Sequence, residues 1–142
     1  MEFSEVTKQK FEEISSHYPT KTAAVLPAVY LAQEEFGYVD EEILEYVANL
    51  LDLSPVFLKN TISFYTMFRG KKTGKYLIQV CSTLSCSLMN SEHIVEYIKK
   101  KTNIDVGETT PDKKFTLIKV ECLGSCGTAP MMQINDDYYE NL

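Results

Sequence analysis

The four cysteines occur in two pairs, and each pair comes directly after an apolar segment with the length and composition of a β-strand. The segments are "KYLIQV" at 75–80 and "FTLIKVE" at 115–121, and the cysteines that follow them are Cys81 with Cys86 and Cys122 with Cys126. A helical pattern at 91–101 separates the two segments, so a right-handed crossover predicts two parallel, neighbouring strands. The carboxyl ends of parallel strands lie at one edge of a sheet, where open α/β sheets commonly bind ligands. The pairs, spaced C-x4-C and C-x3-C, are therefore expected to converge.

Four converging thiols are compatible with several kinds of site. A structural zinc ion needs four tetrahedral ligands, most often from C-x2-C pairs, although wider spacings occur. A redox dithiol usually reads C-x-x-C. A [2Fe-2S] cluster needs four thiolates, two per iron, and the longer loops favour it. Gly124 and Gly127 allow the second loop to turn and to direct N–H groups at sulfur, although they are also ordinary turn residues.

Two further features of this region bear on the cluster. Neither loop carries a carboxylate between its cysteines, and a nearby negative charge would oppose reduction. A Rieske-type site would need two histidines close to the cluster. His93 follows Cys86 closely, but His17 lies far away in the helical part of the chain, so this alternative is disfavoured.

The residues before the first cysteine pair have a different pattern, which predicts four short amphipathic helices over 4–68. Ser4 is expected to cap the first helix, and Asp40 the third. The second is predicted to run from Thr20 to Phe36, with Pro27 removing one of its hydrogen bonds and kinking it. Pro55 is expected to lie in the first turn of the fourth helix. We therefore predict an α/β chain with a helical bundle at 1–70, a sheet domain at 71–142 and a final hairpin.

The charge distribution limits the possible partners. The net charge is −6, and residues 1–70 carry 5 Lys/Arg against 11 Asp/Glu. This disfavours nucleic acid as a partner, and with it a helix-turn-helix regulator whose cysteines sense metal or redox state. The longest apolar run, residues 23–32, is too short to cross a membrane. An acidic N-terminal segment without a signal sequence predicts a cytoplasmic protein. A zinc-stabilised adaptor protein with no redox role remains an alternative.

Several longer segments together resemble one known family. They are "AAVLPAVYLAQEEFGYV", "SFYTMF", "GKYLIQVCSTLSC", "VGETTPDKKFTL" and "VECLGSCGTAPMMQINDDYYENL". These runs cover nearly the whole chain and resemble the 24-kDa (E-type) subunit of NADH:quinone oxidoreductase, respiratory complex I. Where members of that family often have a glycine before the next helix, this chain has Asn90, which also tolerates a left-handed turn.

The resemblance implies a thioredoxin-like [2Fe-2S] domain preceded by a small N-terminal helical bundle. It implies one cluster, with Cys81 and Cys86 on one iron and Cys122 and Cys126 on the other. It also implies a flavoprotein partner that binds FMN and NADH, so that the chain is an electron-carrying subunit of an oxidoreductase, in the peripheral arm of a membrane-associated complex. The same carrier chemistry would suit the equivalent subunit of a NAD-linked or bifurcating hydrogenase or a formate dehydrogenase.

Overall fold

The computed structural model describes residues 2–142, which form two compact units, one ending at Lys72 and the other spanning Thr73–Leu142. The helices are α1 Glu5–Ser16, α2 Val25–Phe36, α3 Glu41–Leu51, α4 Pro55–Ser63, α5 Leu84–Leu88 and α6 Ser91–Thr102. The strands are β1 Tyr76–Cys81, β2 Phe115–Val120, β3 Met132–Ile134 and β4 Asp137–Tyr139. None of the helices in the described range is long and apolar enough to span a lipid bilayer.

The helix starts of the first unit follow the local sequence signals. The Ser4 hydroxyl accepts the N–H of Thr7 at 3.3 Å, and the Asp40 carboxylate accepts the N–H of Ile43 at 3.0 Å. Each bond satisfies one of the donors that the first turn of a helix leaves without an internal partner. The predicted caps of α1 and α3 are therefore confirmed.

The predicted start of α2 and the predicted effect of Pro27 are wrong. The helix begins at Val25, and residues 21–24 form turns. Pro27 consequently lies in the first helical turn, where a backbone N–H has no intrahelical acceptor, so the proline costs no hydrogen bond there. The helix ends as expected at Gly37, whose φ of 82° is left-handed and whose N–H bonds Gln33 O at 2.8 Å.

The core of the first unit lies between its helices. The side chains that are fully buried there include Val29, Ile43, Val47 and Leu58. A buried polar residue, Gln33, holds the segment after α4 in place. Its amide nitrogen donates to Met67 O at 2.9 Å, and its amide oxygen accepts the N–H of Arg69 at 2.7 Å. Both polar ends of the buried amide are thus satisfied.

The second unit is a four-stranded sheet with the order β2-β1-β3-β4. Strands β1 and β2 are parallel, and β1 pairs with β3 and β3 with β4 in the antiparallel sense. Helix α6 packs on the sheet through Val95 and Ile98, against Ile78, Val80 and Leu117. The predicted parallel pair and the final hairpin are confirmed, and the parallel pair sets the positions of the cysteines.

Candidate metal centre

The register of β1 and β2 brings the two cysteine segments to the same edge of the sheet. Cys81 is the last residue of β1, not the residue after it as predicted, and it lies opposite Val120, the last residue of β2. Beyond the strands, the N–H of Ser82 bonds Val120 O at 2.9 Å. The Cys81 thiol donates to Glu121 O at 3.7 Å, directly before Cys122.

Cys86 lies on α5, a five-residue helix that the sequence patterns do not predict. The helix follows Thr83, whose carbonyl accepts the N–H of Ser87 at 3.0 Å. Cys81 and Cys86 are only 4% and 2% exposed and form a small buried cluster with Met131. The first pair is therefore shielded from water.

The second pair is at the surface. Cys122 and Cys126 are both exposed. Gly124 has a φ of 78°, and its N–H donates to Cys122 Sγ at 3.3 Å. The prediction that Gly124 directs an N–H at sulfur is thus confirmed. Gly127 lies in a 3₁₀ turn, Cys126–Thr128, and does not have a positive φ, so its role as a special turn residue is not supported.

Backbone N–H groups from both loops favour a thiolate at Cys81. Burial acts to raise the pKa of this thiol, but the N–H groups of Thr83 and Leu123 and the thiol of Cys86 outweigh it, so its pKa is held below the ordinary value. The donor from Leu123 matters most for the architecture, because it comes from the second cysteine loop. The side chain of Leu123 also packs against Cys81, Cys86 and Met131, so that loop is folded against the first pair.

The partner thiol is affected in the opposite direction. Burial raises the pKa of Cys86, and the hydrogen bond with Cys81 raises it further, while the N–H of Met131 acts to lower it. Negative charge at Cys126 also raises this pKa. Leu123 and Ala129, which lie on either side of Cys126 in the sequence, pack against the cluster of Cys81, Cys86 and Met131, so the second loop lies close to the first pair.

This donor set fits an iron–sulfur cluster. All four cysteines are free, and the backbone N–H of Gly124 points at the sulfur of Cys122. Such N–H···S contacts stabilise thiolate ligands and the anionic cluster that they hold. Across residues 2–142, no three His, Cys, Asp or Glu side chains are grouped around one metal-ion position. A [2Fe-2S] cluster does not require such a group, because each of its irons takes two thiolates.

The structure also locates the histidines and the asparagine considered in the sequence, and it shows two contacts that the sequence did not predict. His93 is exposed on α6, and His17 ends α1 in the first unit. Asn90 has a φ of 67° and a ψ of 39°, so the expected left-handed turn is confirmed. The structure adds two contacts to the second loop, from Tyr138 and Glu140, that no motif in the sequence signals. Tyr138 lies in β4 and Glu140 follows it directly, so both contacts depend on the β3–β4 hairpin.

Comparison with known proteins gives a consistent result. A family model described as thioredoxin-like [2Fe-2S] ferredoxin matches residues 11–142. The chain is 47% identical to the E-type subunit of the NADH-quinone oxidoreductase of Rickettsia conorii, covering 92% of this chain and 80% of the relative. It is 42% identical to the mitochondrial NADH dehydrogenase [ubiquinone] flavoprotein 2 of Dictyostelium discoideum, covering 99% of this chain and 58% of that protein.

A solved structure also resembles this fold. A chain of the air-oxidised NAD+-reducing [NiFe]-hydrogenase superposes with a TM-score of 0.69 at 21% identity, covering 83% of this chain and 20% of the hydrogenase chain. At this identity the likeness concerns the fold alone. Together with the family match, it confirms the predicted α/β class and the thioredoxin-like domain after N-terminal helices.

Proposed function

Because the chain belongs to the thioredoxin-like [2Fe-2S] ferredoxin family, we propose that it is the electron-transfer subunit of an NADH:quinone oxidoreductase. Its single cluster would be held by Cys81 and Cys86 on one iron and by Cys122 and Cys126 on the other. When bound, such a cluster accepts and releases one electron at a time. The chain supplies the ligands, and the NADH and FMN sites belong to a flavoprotein partner.

The observation that carries this proposal is the approach of the two cysteine loops at the carboxyl edge of β1 and β2. Leu123 of the second loop packs against the buried cluster of Cys81, Cys86 and Met131, and the Cys81 thiol donates to Glu121 O at 3.7 Å, directly before Cys122. The N–H of Gly124 reaches the sulfur of Cys122. Because the two loops meet at one edge of the sheet and a backbone N–H points at sulfur, the site is suited to hold thiolates and the extra negative charge of a reduced cluster.

The uneven exposure of the cysteines indicates where an electron would enter or leave. Cys81 and Cys86 are buried and Cys122 and Cys126 are exposed, so we infer that a redox partner approaches from the side of the exposed pair and α5. On that short helix, Leu84 and Leu88 are 72% and 77% exposed, and the following Met89 is 57% exposed. Apolar side chains grouped at a surface mark interaction sites. We assign this surface, residues 84, 88 and 89, to the flavoprotein partner.

The proposed location follows from the same assignment. The curated relatives are named as subunits of NADH dehydrogenases, at 39–47% identity to this chain, which favours this complex over a hydrogenase. The hydrogenase alternative is supported only by fold similarity. We therefore place the chain in the cytoplasmic, peripheral arm of the oxidoreductase, without contact to nucleic acid and without insertion into the membrane.

The deciding experiment is a metal and sulfide analysis of anaerobically purified full-length chain. We expect about two irons and two acid-labile sulfides per chain and a paramagnetic signal only after reduction. Cys122→Ser and Cys126→Ser should each lower the cluster content, whereas Ser87→Ala, an exposed neighbour of Cys86, should leave it unchanged. Stoichiometric zinc without sulfide would refute the cluster and favour the adaptor. Isolation of the native complex then identifies the partner.

A further inference from the structure

The end of the chain is bonded to the second cysteine loop. Glu140 follows β4, and its carboxylate accepts hydrogen bonds from the hydroxyls of Ser125 and Thr128, the latter at 2.5 Å. These two residues stand on either side of Cys126 in the sequence. The main chain continues the contact, because the N–H of Asn141 bonds Thr128 O at 2.8 Å.

A second side chain of the same segment bonds the loop nearer its start. The hydroxyl of Tyr138 donates to Leu123 O at 2.7 Å, and the side chain of Leu123 packs against Cys81, Cys86 and Met131. The loop is therefore fixed at both ends by residues 138–141. Its position depends on the hairpin as well as on its own turns.

This arrangement brings a carboxylate to a loop whose own sequence has none between its cysteines. The hydrogen bonds from Ser125 and Thr128 hold the pKa of Glu140 below its ordinary value, with the contribution of Ser125 the larger. The side chain is thus ionised at neutral pH. It places a negative charge beside the residues one before and two after Cys126.

We propose, on the basis of the proposed function, that Glu140 is a positioning residue that lowers the reduction potential of the cluster. Two effects act in the same direction. Reduction adds one electron to the cluster, and a fixed negative charge nearby opposes that addition. In addition, Glu140 accepts from both hydroxyls of the loop, which also bond each other and, from Thr128, the carbonyl of Ser125, so that these hydroxyls are held in a network with Glu140 and do not donate to sulfur, a contact that would favour the reduced state.

The structure also offers a matched control carboxylate in the same unit. Asp112 is exposed and ionised in a similar way, since hydrogen bonds from the Thr110 hydroxyl and the N–H of Lys114 lower its pKa. It lies before β2, however, and so at the opposite end of a six-residue strand from the cysteines. Such a strand is about 20 Å long, about twice the screening length at an ionic strength of 0.1 M.

The test compares Glu140→Gln, Glu140→Ala and Asp112→Asn with the wild-type chain, all full length and prepared anaerobically. The midpoint potential is measured by a redox titration followed by the paramagnetic signal of the reduced cluster. At the wild-type midpoint and low ionic strength, we expect the ratio of reduced to oxidised cluster to rise about two-fold in both Glu140 variants, as for an unscreened unit charge roughly 10 Å away in water. Asp112→Asn should leave the ratio at one.

Hydrogen exchange separates the charge from the positioning role. Glutamine keeps an oxygen that can accept from Ser125 and Thr128, so Glu140→Gln should retain the slow exchange of residues 122–130, whereas Glu140→Ala should accelerate it. Exchange in the Glu140→Ala variant can be measured even where its cluster is unstable. Unchanged exchange in that variant would refute the positioning role.

The two proposals fail in distinguishable ways. Wild-type chain without iron and sulfide would overturn the proposed function and with it this inference. A fully loaded Glu140→Gln variant with the wild-type midpoint, or an equal shift in Asp112→Asn, would overturn this inference alone and leave the cluster assignment intact.

Discussion

The second cysteine loop contains two glycines that allow a sharp test of backbone geometry. Gly124→Ala is expected to weaken the loop and its hold on the cluster, whereas Gly127→Ala is not. At both positions an added Cβ would meet no other heavy atom within 4 Å. The two sites differ in conformation, because Gly124 has a φ of 78° and Gly127 is not in the positive-φ region.

The expected loss of stability of the loop follows from this difference in backbone conformation. A left-handed backbone costs a residue with a Cβ about 1–2 kcal/mol, which corresponds to a shift of roughly 5- to 30-fold in the population of the native loop conformation. At Gly127 the penalty is absent, and a glycine-to-alanine change at a compatible position stabilises by about 0.4–1 kcal/mol through the unfolded state.

The assay is the rate at which a chelator removes iron from the full-length, cluster-loaded chain. If loss of iron requires opening of the loop, Gly124→Ala should lose it about 5- to 30-fold faster than the wild type, and Gly127→Ala at the wild-type rate or more slowly. Hydrogen exchange at residues 122–128 should follow the same order. Equal rates in the two variants would refute the argument that the left-handed conformation of Gly124 positions the N–H at Cys122.

Three further predictions concern the sheet, the helical unit and the proposed partner surface. Thr116→Val should cost about 1–3 kcal/mol, because the buried Thr116 hydroxyl accepts the N–H of Gly74 at 2.7 Å and valine leaves that donor unpaired; urea unfolding of the full chain measures the loss. Thr7→Val should reduce stability at neutral pH but not in acid, since the Thr7 hydroxyl is the main cause of the lowered pKa of Glu35. The stabilisation is present above the ordinary carboxyl pKa of 4.5 and is lost as the pH falls through the lowered value. Leu88→Glu should weaken binding of the flavoprotein partner more than about five-fold, as for an interface residue worth over 1 kcal/mol, without changing cluster content.

Matched variants serve as controls for these three predictions. Thr109→Val removes a partner of the Thr116 hydroxyl but leaves the acceptor of the Gly74 N–H in place, so a loss as large as that of Thr116→Val would contradict the argument. Glu35→Gln should flatten the pH dependence as Thr7→Val does, and a wild-type profile in either variant would exclude this pair as its cause. Val106→Glu changes another exposed apolar residue of the second unit, and equal losses of binding in both variants would refute the assigned surface.

Features that depend on neighbouring residues were predictable from the amino-acid sequence. Ser4 and Asp40 cap helices because their side chains reach an N–H only three residues ahead. The apolar segments before Cys81 and Cys122 form parallel strands because a helical pattern of sufficient length connects them. These signals were enough for the α/β class, the order of the elements and the expected convergence of the cysteine pairs.

Features that depend on contacts between distant residues came only from the tertiary structure. Helix α5 is too short to show a periodic pattern, and α2 starts five residues later than predicted, so that Pro27 falls in its first turn. The burial of Cys86 depends on Met131, and the charge beside Cys126 comes from Glu140. Met131 directly precedes β3 and Glu140 directly follows β4, so the β3–β4 hairpin brings both residues to the cysteines. The sequence thus determined which atoms are available to bind a cluster, whereas tertiary packing decided which cysteines are shielded and which charge lies beside them, because burial and electrostatic range are set by distance in space.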